Sequence, residues 1–147
     1  MNETNAQQMP NLEEMNEEQA LGFLNELYTV LSAEKEYELR HEDYVMEMPQ
    51  SGERIRGREN MLGFQKSLSQ NLPNKPSIRI DRVRVRDGVW IKEGVNDYGN
   101  GVTYNSVVIY ELKDGKIWRD TRYYSHPFEA PQWRSQWVES SGVLTKG

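Results

Sequence analysis

Near residue 73 the hydrophobic pattern of the chain changes from mainly helical to strand-like. Before that point apolar residues recur every three or four positions, as in Leu21, Leu24 and Leu27, which is the spacing of an amphipathic helix. After it apolar and polar residues alternate, and Asp-Gly pairs at 87–88 and 114–115 interrupt the alternation. Because Asp-Gly favours two-residue hairpin turns, the second half predicts a meander of about four antiparallel strands. Helices followed by strands predict an α+β domain with helices packed on one face of a curved sheet.

Capping and turn signals set the expected boundaries. Asn11 with Glu14, or Asn16 with Gln19, has the spacing of a capping box at the start of the first helix. A phase slip at 81–82 predicts a β-bulge. The expected elements are a helix around 21–31, a shorter one at 33–41, strands at 44–48 and 53–56, a helix at 58–72 ended by Pro73, and strands at 78–86, 89–98, 102–112 and 117–126.

The 147 residues fit one domain. We expect a disordered leader at 1–11, the domain at 12–139 and a flexible tail at 140–147, with 131–139 forming a short helix or arm. No apolar run approaches the roughly 20 residues that a bilayer requires, and the first ten residues do not resemble a secretory signal. A cytoplasmic protein without a membrane partner is therefore expected.

Charge and composition exclude several classes of site. Basic residues number 18 against 23 acidic ones, a net charge of −5, which disfavours a nucleic-acid partner. The arginines at 79, 82, 84 and 86 are then interpreted as a solvated, salt-bridged sheet face. Cysteine is absent and only two histidines occur, which excludes disulfides, thiol nucleophiles and three-histidine metal sites. We expect neither a metal nor a cofactor.

Several short motifs resemble one fold superfamily. Gly57-Arg58-Glu59-Asn60-Met61 resembles the start of its central helix, and residues 113–119, Lys-Asp-Gly-Lys-Ile-Trp-Arg, resemble the hairpin before its last strand. Residues 123–128 and the Pro-x-Trp-Arg at 131–134 resemble the ending of SnoaL-like members. Over residues 12–139 the chain thus resembles the nuclear transport factor 2-like superfamily. The resemblance implies a cone-shaped, curved antiparallel sheet with N-terminal helices on its concave face.

The superfamily includes isomerases, epoxide hydrolases, polyketide cyclases and non-enzymatic proteins, so the fold does not fix the function. Ketosteroid isomerases carry a general-base Asp where this chain has Met48, and a proton-donating Asp near Val107. Both positions are apolar here. That mechanism is therefore disfavoured.

Limonene-epoxide hydrolases resemble the chain more closely over residues 115–120. The resemblance places Asp120 on a catalytic Asp and Glu93 on a second carboxylate, whereas the partner Arg is replaced by Ile91. Their water-holding Tyr-x-Asn falls near Val45 and Glu47 and is lost. SnoaL-like cyclases also use an acid–base Asp, for which Asp120 is again the nearest candidate.

Strand alternation places five residues on one side of the last strand: Trp118, Asp120, Arg122, Tyr124 and His126. A carboxylate beside a guanidinium can shuttle a proton, although it can equally be a structural ion pair at a rim or dimer face. Glu93 is either a second cavity carboxylate or a solvated residue, and His126 is either a proton carrier or a hydrogen-bonded structural residue. His41 lies in a charged run and is interpreted as a surface residue.

An apolar and aromatic set either fills the core or lines a cavity for a flat hydrophobic ligand. Its members, with one arginine, are Met46, Met48, Trp90, Tyr104, Val107, Ile109, Trp118, Arg122 and Tyr124. The leading hypothesis is a cofactor-free protein that binds a small hydrophobic molecule, as an isomerase, cyclase or hydrolase working by proton transfer. The alternative is a non-catalytic ligand-binding or dimerisation module of the same fold. A protein-binding adaptor would need an exposed apolar patch.

Trp133 and Trp137 are four residues apart and would share one face of a helix. Two surface tryptophans on one face should be buried against the chain's own sheet or a second subunit. Since members of the superfamily commonly dimerise through the outer sheet face, the resemblance implies a homodimer.

Overall fold

Three α-helices and six strands follow one another in the computed structural model, which describes residues 9–72, 75–99 and 101–141. The helices are α1 (Glu17–Thr29), α2 (Ala33–Leu39) and α3 (Arg58–Asn71), and two 3-10 helices lie at Leu12–Glu14 and Gln132–Arg134. The strands are β1 (Arg40–Met48), β2 (Glu53–Arg56), β3 (Ser77–Arg86), β4 (Val89–Asp97), β5 (Thr103–Lys113) and β6 (Lys116–Ser125). The predicted element order is confirmed.

Asn11 and Asn16 both act as N-caps, but only Asn16 with Gln19 forms the predicted capping box, and Glu14 does not complete one with Asn11. The Asn11 side chain accepts a hydrogen bond from the amide of Glu13, at 3.1 Å, and starts the first 3-10 helix. Asn16 and Gln19 form a reciprocal capping box, at 2.8 and 2.9 Å, at the start of α1. The capping signals in the sequence therefore mark two successive helical segments rather than competing starts for one.

The strands form one curved, open sheet in the order β2-β1-β6-β5-β4-β3. The α+β cone-like fold is confirmed, with one difference. All neighbouring strands are antiparallel except β1 and β6, which pair in parallel with Met46 opposite Asp120. The sheet is mixed because β1 pairs with a strand some seventy residues further along the chain, a contact that local patterning does not specify.

Turn chemistry behaves as the sequence predicts. Asp87 and Gly88 both have positive φ, at 48° and 78°, as do Asp114 and Gly115, at 54° and 76°. Two successive positive φ values match the twist of the flanking strands in a two-residue hairpin. The predicted bulge is also present, since the β3–β4 register shifts between Ile80 and Arg82.

The core lies between α1 and the concave face of the sheet. Phe23 of α1 packs edge-to-face on Trp90 of β4 at 5.9 Å between ring centroids, and Trp90 packs on Tyr110 of β5 at 6.2 Å. Leu12 and Leu24 are fully buried in the same cluster. None of the described helices is long and apolar enough to cross a membrane.

The interpretation of His41 as a surface residue is wrong. The strand β1 begins at Arg40, four residues earlier than expected, so His41 is buried within it. Its Nδ1 accepts a hydrogen bond from the amide of Asp43 at 3.0 Å, and its Nε2 lies 2.9 Å from Oδ2 of Asp114. Because Nδ1 accepts, Nε2 carries the proton that is donated to Asp114.

The end of the domain is less regular than expected. Only Gln132–Arg134 is helical within the predicted arm at 131–139. Trp133 and Trp137 are 75% and 71% exposed, so the chain's own sheet does not bury them. The expectations for residues 1–8 and 142–147, for Pro73 as a helix stop and for Asn100 in its turn fall outside the described residues.

Candidate functional site

Asp120 lies on the concave face of the sheet, in the middle of β6, and is 1% exposed. Its Oδ2 accepts a hydrogen bond from the hydroxyl of Tyr44 at 2.7 Å. Its Oδ1 accepts from Nε of Arg122 at 2.8 Å, and Nη2 of Arg122 is 3.4 Å from Oδ2. The predicted inward orientation of Asp120 is thus observed, and its charge is balanced by a two-point contact with the guanidinium.

Arg122 connects this buried carboxylate with the outer part of the site. Burial disfavours its charge, but the neighbouring Asp120, Tyr44 and Tyr124 more than offset burial and raise the pKa of Arg122 well above its usual value. Burial also raises the pKa of Tyr124, and the charge of Arg122 opposes that rise. Arg122 therefore interacts electrostatically with both Asp120 and Tyr124.

Three further tyrosines surround the pair from α1, β1 and β5. Burial raises the pKa of Tyr28 to about 12, and it raises the pKa of Tyr44 and Tyr110 as well. The hydroxyls of Tyr28 and Tyr110 are hydrogen-bonded to each other. All three hydroxyls therefore remain protonated near neutral pH, and the interior offers several O–H donors.

Lys92 was not singled out from the sequence, yet it is one of the most buried polar residues, at 2% exposure. Its Nζ donates to Oγ of Ser106 at 3.2 Å, and Ser106 donates in turn to Oδ1 of Asn96 at 3.2 Å. Desolvation, followed by repulsion from Arg122, lowers the pKa of Lys92 to about 8. Its position two residues after Trp90 on an alternating strand is the signal that could have found it.

An open groove of about 620 Å³ lies where β5 begins and β6 ends. Its lining residues are Gln50, Tyr104, Asn105, Val107, Tyr123, Tyr124, Ser125 and His126. Tyr104 stacks on His126 at 4.1 Å between ring centroids and packs edge-to-face on Tyr124 at 6.2 Å. The side chain of Gln50 hydrogen-bonds both the amide and the carbonyl of Tyr124, which fixes the β1–β2 turn against the groove.

His126 is held in one orientation at this groove. Its Nδ1 lies 3.2 Å from the carbonyl oxygen of Thr103. Because a carbonyl only accepts, Nδ1 carries the proton, and Nε2 of the neutral ring is left as an acceptor. Within the described residues Nε2 has no hydrogen-bond partner. His126 thus presents an unpaired ring nitrogen and lines the groove.

Three predicted site residues, Glu93, Val107 and Ile109, lie on the outer face of the sheet. The strand register pairs Glu93 with Val107. The neighbouring row of residues, Lys92, Val108 and Arg122, faces the interior. Because successive side chains alternate between the two faces, Glu93 is on the outer face. There it forms an ion pair with Arg82 at 3.1 Å, as a solvated strand residue would. Ile109 and Val107 are also on the outer face, from which Val107 reaches the edge of the groove. The interpretation of Glu93 as a second cavity carboxylate is therefore wrong.

A second bulge displaces Trp118. The β5–β6 register shifts between Glu111 and Leu112, so that Ile117 occupies the buried position. Trp118 instead lies beside the cationic groups of Lys113 and Arg119, 5.2 and 5.3 Å from its ring centroid. Trp118 therefore does not share the interior face with Asp120.

Met46 and Trp90 are buried in the core, and Met48 is partly buried against it. Of the predicted ligand-contacting residues, Tyr104, Val107 and Tyr124 line the groove. A smaller cavity of about 220 Å³ is lined by His41, Glu42, Arg58, Asp114 and Lys116. The described residues contain no group of three or more His, Asp or Glu side chains arranged to hold a metal ion.

The sequence profile of the SnoaL-like domain matches residues 33–120. Among solved structures, a nuclear transport factor 2-like protein of unknown function from Burkholderia xenovorans is 38% identical over 75% of this chain and 83% of its own, with a TM-score of 0.62. None of the curated proteins matches the chain.

Two more distant structures share the fold alone. A provisionally named ketosteroid isomerase from Kribbella flavida is 24% identical, covering 89% of this chain and 97% of its own with a TM-score of 0.71. A provisionally named SnoaL-like polyketide cyclase from Jannaschia is 14% identical, covering 80% and 90% with a TM-score of 0.61. At these identities the resemblance extends to architecture and not to chemistry.

Proposed function

The chain belongs to the SnoaL-like domain family, and we propose that it binds a small hydrophobic molecule in the groove beside Tyr104, Tyr124 and His126 and moves a proton on it without a cofactor. The groove volume of about 620 Å³ is in the range of small-molecule sites. Its aromatic lining supplies ring faces for a flat ligand. The proton transfer would serve an isomerisation, a cyclisation or a hydrolysis.

The observation that carries this proposal is the hydrogen-bonded orientation of His126 at the groove. His126 lines the groove with Nδ1 held by the Thr103 carbonyl, so Nε2 is the group placed to take a proton from a bound ligand. Tyr124 also lines the groove and lies in the field of Arg122. The side chains of Tyr124 and Arg122 would stabilise a negative charge that develops on the ligand.

Asp120 acts in this proposal as a positioning residue. Both of its oxygens already accept hydrogen bonds, from Tyr44 and from Arg122. Protonating Asp120 would remove the charge that holds Arg122, so direct acid–base work by this carboxylate is less favourable than work by His126. Asp120 instead fixes the guanidinium behind Tyr124.

The second candidate function is a non-catalytic ligand-binding or dimerisation module. The hydrogen bonds to both oxygens of Asp120 favour this second function. A fully hydrogen-bonded ion pair in a core packed by Met46 and Trp90 needs no catalytic explanation. The two functions make the same prediction for ligand binding and opposite predictions for turnover.

A thermal-shift screen of lipophilic ketones, epoxides and polyketide-like phenols tests the binding step, since a ligand selective for the native state raises Tm. Tyr104→Ala should abolish the shift and Glu93→Gln, on the outer face, should preserve it. Any hit is then assayed for turnover with the wild type and His126→Gln. Binding without turnover would leave the module as the function, and no binding by any of the three classes would overturn the proposal.

A further inference from the structure

The smaller cavity, of about 220 Å³, lies at the opposite end of β6 from the groove. Three segments meet there: the start of β1, the first residue of α3, and the β5–β6 turn with the start of β6. They contribute the five lining residues, His41, Glu42, Arg58, Asp114 and Lys116. All five side chains are polar, and the volume is smaller than that of a site for a drug-sized molecule. The cavity therefore suits a small polar ligand, unlike the hydrophobic one proposed for the groove.

The guanidinium group of Arg58 is held in place without an ion-paired carboxylate. Its Nη1 donates to the carbonyl oxygens of Tyr37, at 3.4 Å, and Arg40, at 3.1 Å, and the group lies over the Tyr37 ring, 4.3 Å from the centroid. Its Nε is buried without a hydrogen-bond partner, and among the described residues no carboxylate forms an ion pair with it. Because a guanidinium presents its donors in a rigid fork, Arg58 is preorganised to bind a carboxylate.

A carboxylate lines the same cavity from the β5–β6 turn. Asp114 is 72% exposed, and its Oδ2 accepts a hydrogen bond from Nε2 of His41 at 2.9 Å. The His41 ring is itself fixed, because its Nδ1 accepts from the amide of Asp43 at 3.0 Å. An imidazole that accepts at Nδ1 is neutral, so it orients Asp114 without cancelling its charge. The carboxylate of Asp114 is therefore positioned and still free to bind a cation.

Opposite charges line this cavity without pairing with one another. Arg58 and Lys116 are basic and Glu42 and Asp114 are acidic, so the formal charges of the lining cancel. Within the part of the chain that the structure describes, no ion pair joins either basic residue to either acidic one. A simple anion would be repelled by the two carboxylates, and a simple cation by the two basic groups. A ligand that carries both charges, on separate groups, is attracted by all four side chains.

We propose that this cavity binds a small zwitterion, namely an α-amino acid with a short side chain such as glycine or serine. Its carboxylate would bind to Arg58 and Lys116, and its ammonium group to Asp114 and Glu42. The wholly polar lining offers no surface to a long apolar side chain, which restricts the class of amino acid. The inference goes beyond the proposed function, because none of the lining residues of this cavity belongs to the groove.

Chemical-shift titration of the isotope-labelled full chain tests the proposal by nuclear magnetic resonance. We expect glycine and serine to shift the amide signals of Gly115 and Lys116 until they saturate, while those of Tyr104 and Tyr124 at the groove stay unchanged. Acetate and methylammonium each carry one of the two charges of glycine, so each should bind at least about tenfold more weakly. Binding of acetate as tight as that of glycine would identify a simple anion site and overturn the proposal.

Variants at the cavity identify the groups that bind the ligand. Asp114→Asn and Lys116→Gln should each weaken glycine binding by roughly tenfold or more, since each removes a charge-assisted contact. Asp87→Asn is the matched control, because Asp87 also precedes a glycine in a hairpin turn with a positive φ, 48°, but lines neither the groove nor this cavity. Arg58→Lys keeps the charge without the fork, so it should weaken binding while its far-UV circular dichroism matches the wild type. No saturable shift with glycine or serine, or unchanged binding in Asp114→Asn and Lys116→Gln, would overturn the proposal.

Discussion

The guanidinium of Arg122 and the carboxylate of Asp120 form a two-point contact between side chains two residues apart on β6, with Nε to Oδ1 at 2.8 Å. Asp120 is 1% exposed and the Arg122 side chain 22%. The carboxylate of Asp120 therefore lies in the core, whereas the guanidinium of Arg122 lies nearer the groove. Because strand alternation points both side chains to one face, the contact follows from the local sequence once the strand is formed.

Removing the carboxylate charge should destabilise the fold. Asp120→Asn keeps an acceptor for Tyr44 but leaves Arg122 without its counter-charge, and breaking a buried pair in this way costs about 3 kcal/mol. Urea denaturation measures the change in the free energy of unfolding. Glu93→Gln, which breaks the exposed pair with Arg82, should change it by less than about 1 kcal/mol. Equal effects of the two variants would contradict the assignment.

Replacing Lys92 by an apolar residue should stabilise the fold below pH 8. The pKa of Lys92 falls from 10.5 to about 8 on folding, so its charge opposes folding by about 3 kcal/mol in that range. Between pH 8 and about 10.5 the unfolded chain binds more protons than the folded one, so this penalty shrinks as the pH rises. Lys92→Met should thus have the higher Tm at pH 7.

The advantage of Lys92→Met over the wild type should narrow by pH 10. Comparing the two proteins at each pH removes the contribution of the buried tyrosines, which titrate in both. A difference in Tm that does not change with pH would show that Lys92 is not desolvated as the structure indicates.

His126→Gln should separate binding from chemistry. The amide side chain can still donate to the Thr103 carbonyl but cannot accept and carry a proton as Nε2 does. For a ligand that is turned over, we expect kcat to fall by roughly a hundredfold or more, with KM changed little. Steady-state kinetics on a hit from the ligand screen gives both values. A kcat within a factor of two of the wild type would remove His126 from the mechanism.

The exposed tryptophans predict a homodimer. Trp133 and Trp137 each leave more than two thirds of their surface exposed in the single chain, which is unfavourable unless a second subunit covers them. Light scattering should give twice the monomer mass of 17.2 kDa at micromolar concentration. Trp133→Ser combined with Trp137→Ser should shift the mass toward the monomer. A wild-type mass of 17.2 kDa would refute the dimer.

The glycine opposite the β3 bulge should not tolerate a side chain. A Cβ at Gly94 would lie 2.1 Å from the carbonyl oxygen of Arg79, so Gly94→Ala must displace the backbone of β3 and lower Tm. Gly22→Ala is the matched control, because nothing lies within 4 Å of its Cβ and alanine favours the helix. That variant should unfold at the same or a slightly higher temperature. A tolerated Gly94→Ala would show that the bulge is not rigid.

Local features of the sequence determined most of the architecture. The N-cap at Asn11, the capping box of Asn16 with Gln19, the Asp-Gly turns and the phase slip near Asp81 each depend on residues a few positions apart, and each is present in the structure. The inward position of Asp120 follows in the same way from alternation along β6. These features can be predicted from the sequence because their physical causes act within one secondary-structure element or turn.

Tertiary structure alone decided the composition of the site. The parallel pairing of β1 with β6, the burial of His41 and the bulge that turns Trp118 away from the interior all arise from contacts between distant segments. The same holds for Lys92, which is unremarkable in a charged strand until pairing with β5 places Ser106 beside it. Register between strands fixes which face each residue occupies, and a one-position shift exchanges the faces. The sequence could therefore identify the strand that carries Asp120, whereas only the assembled sheet could show that Lys92 shares its face and Glu93 does not.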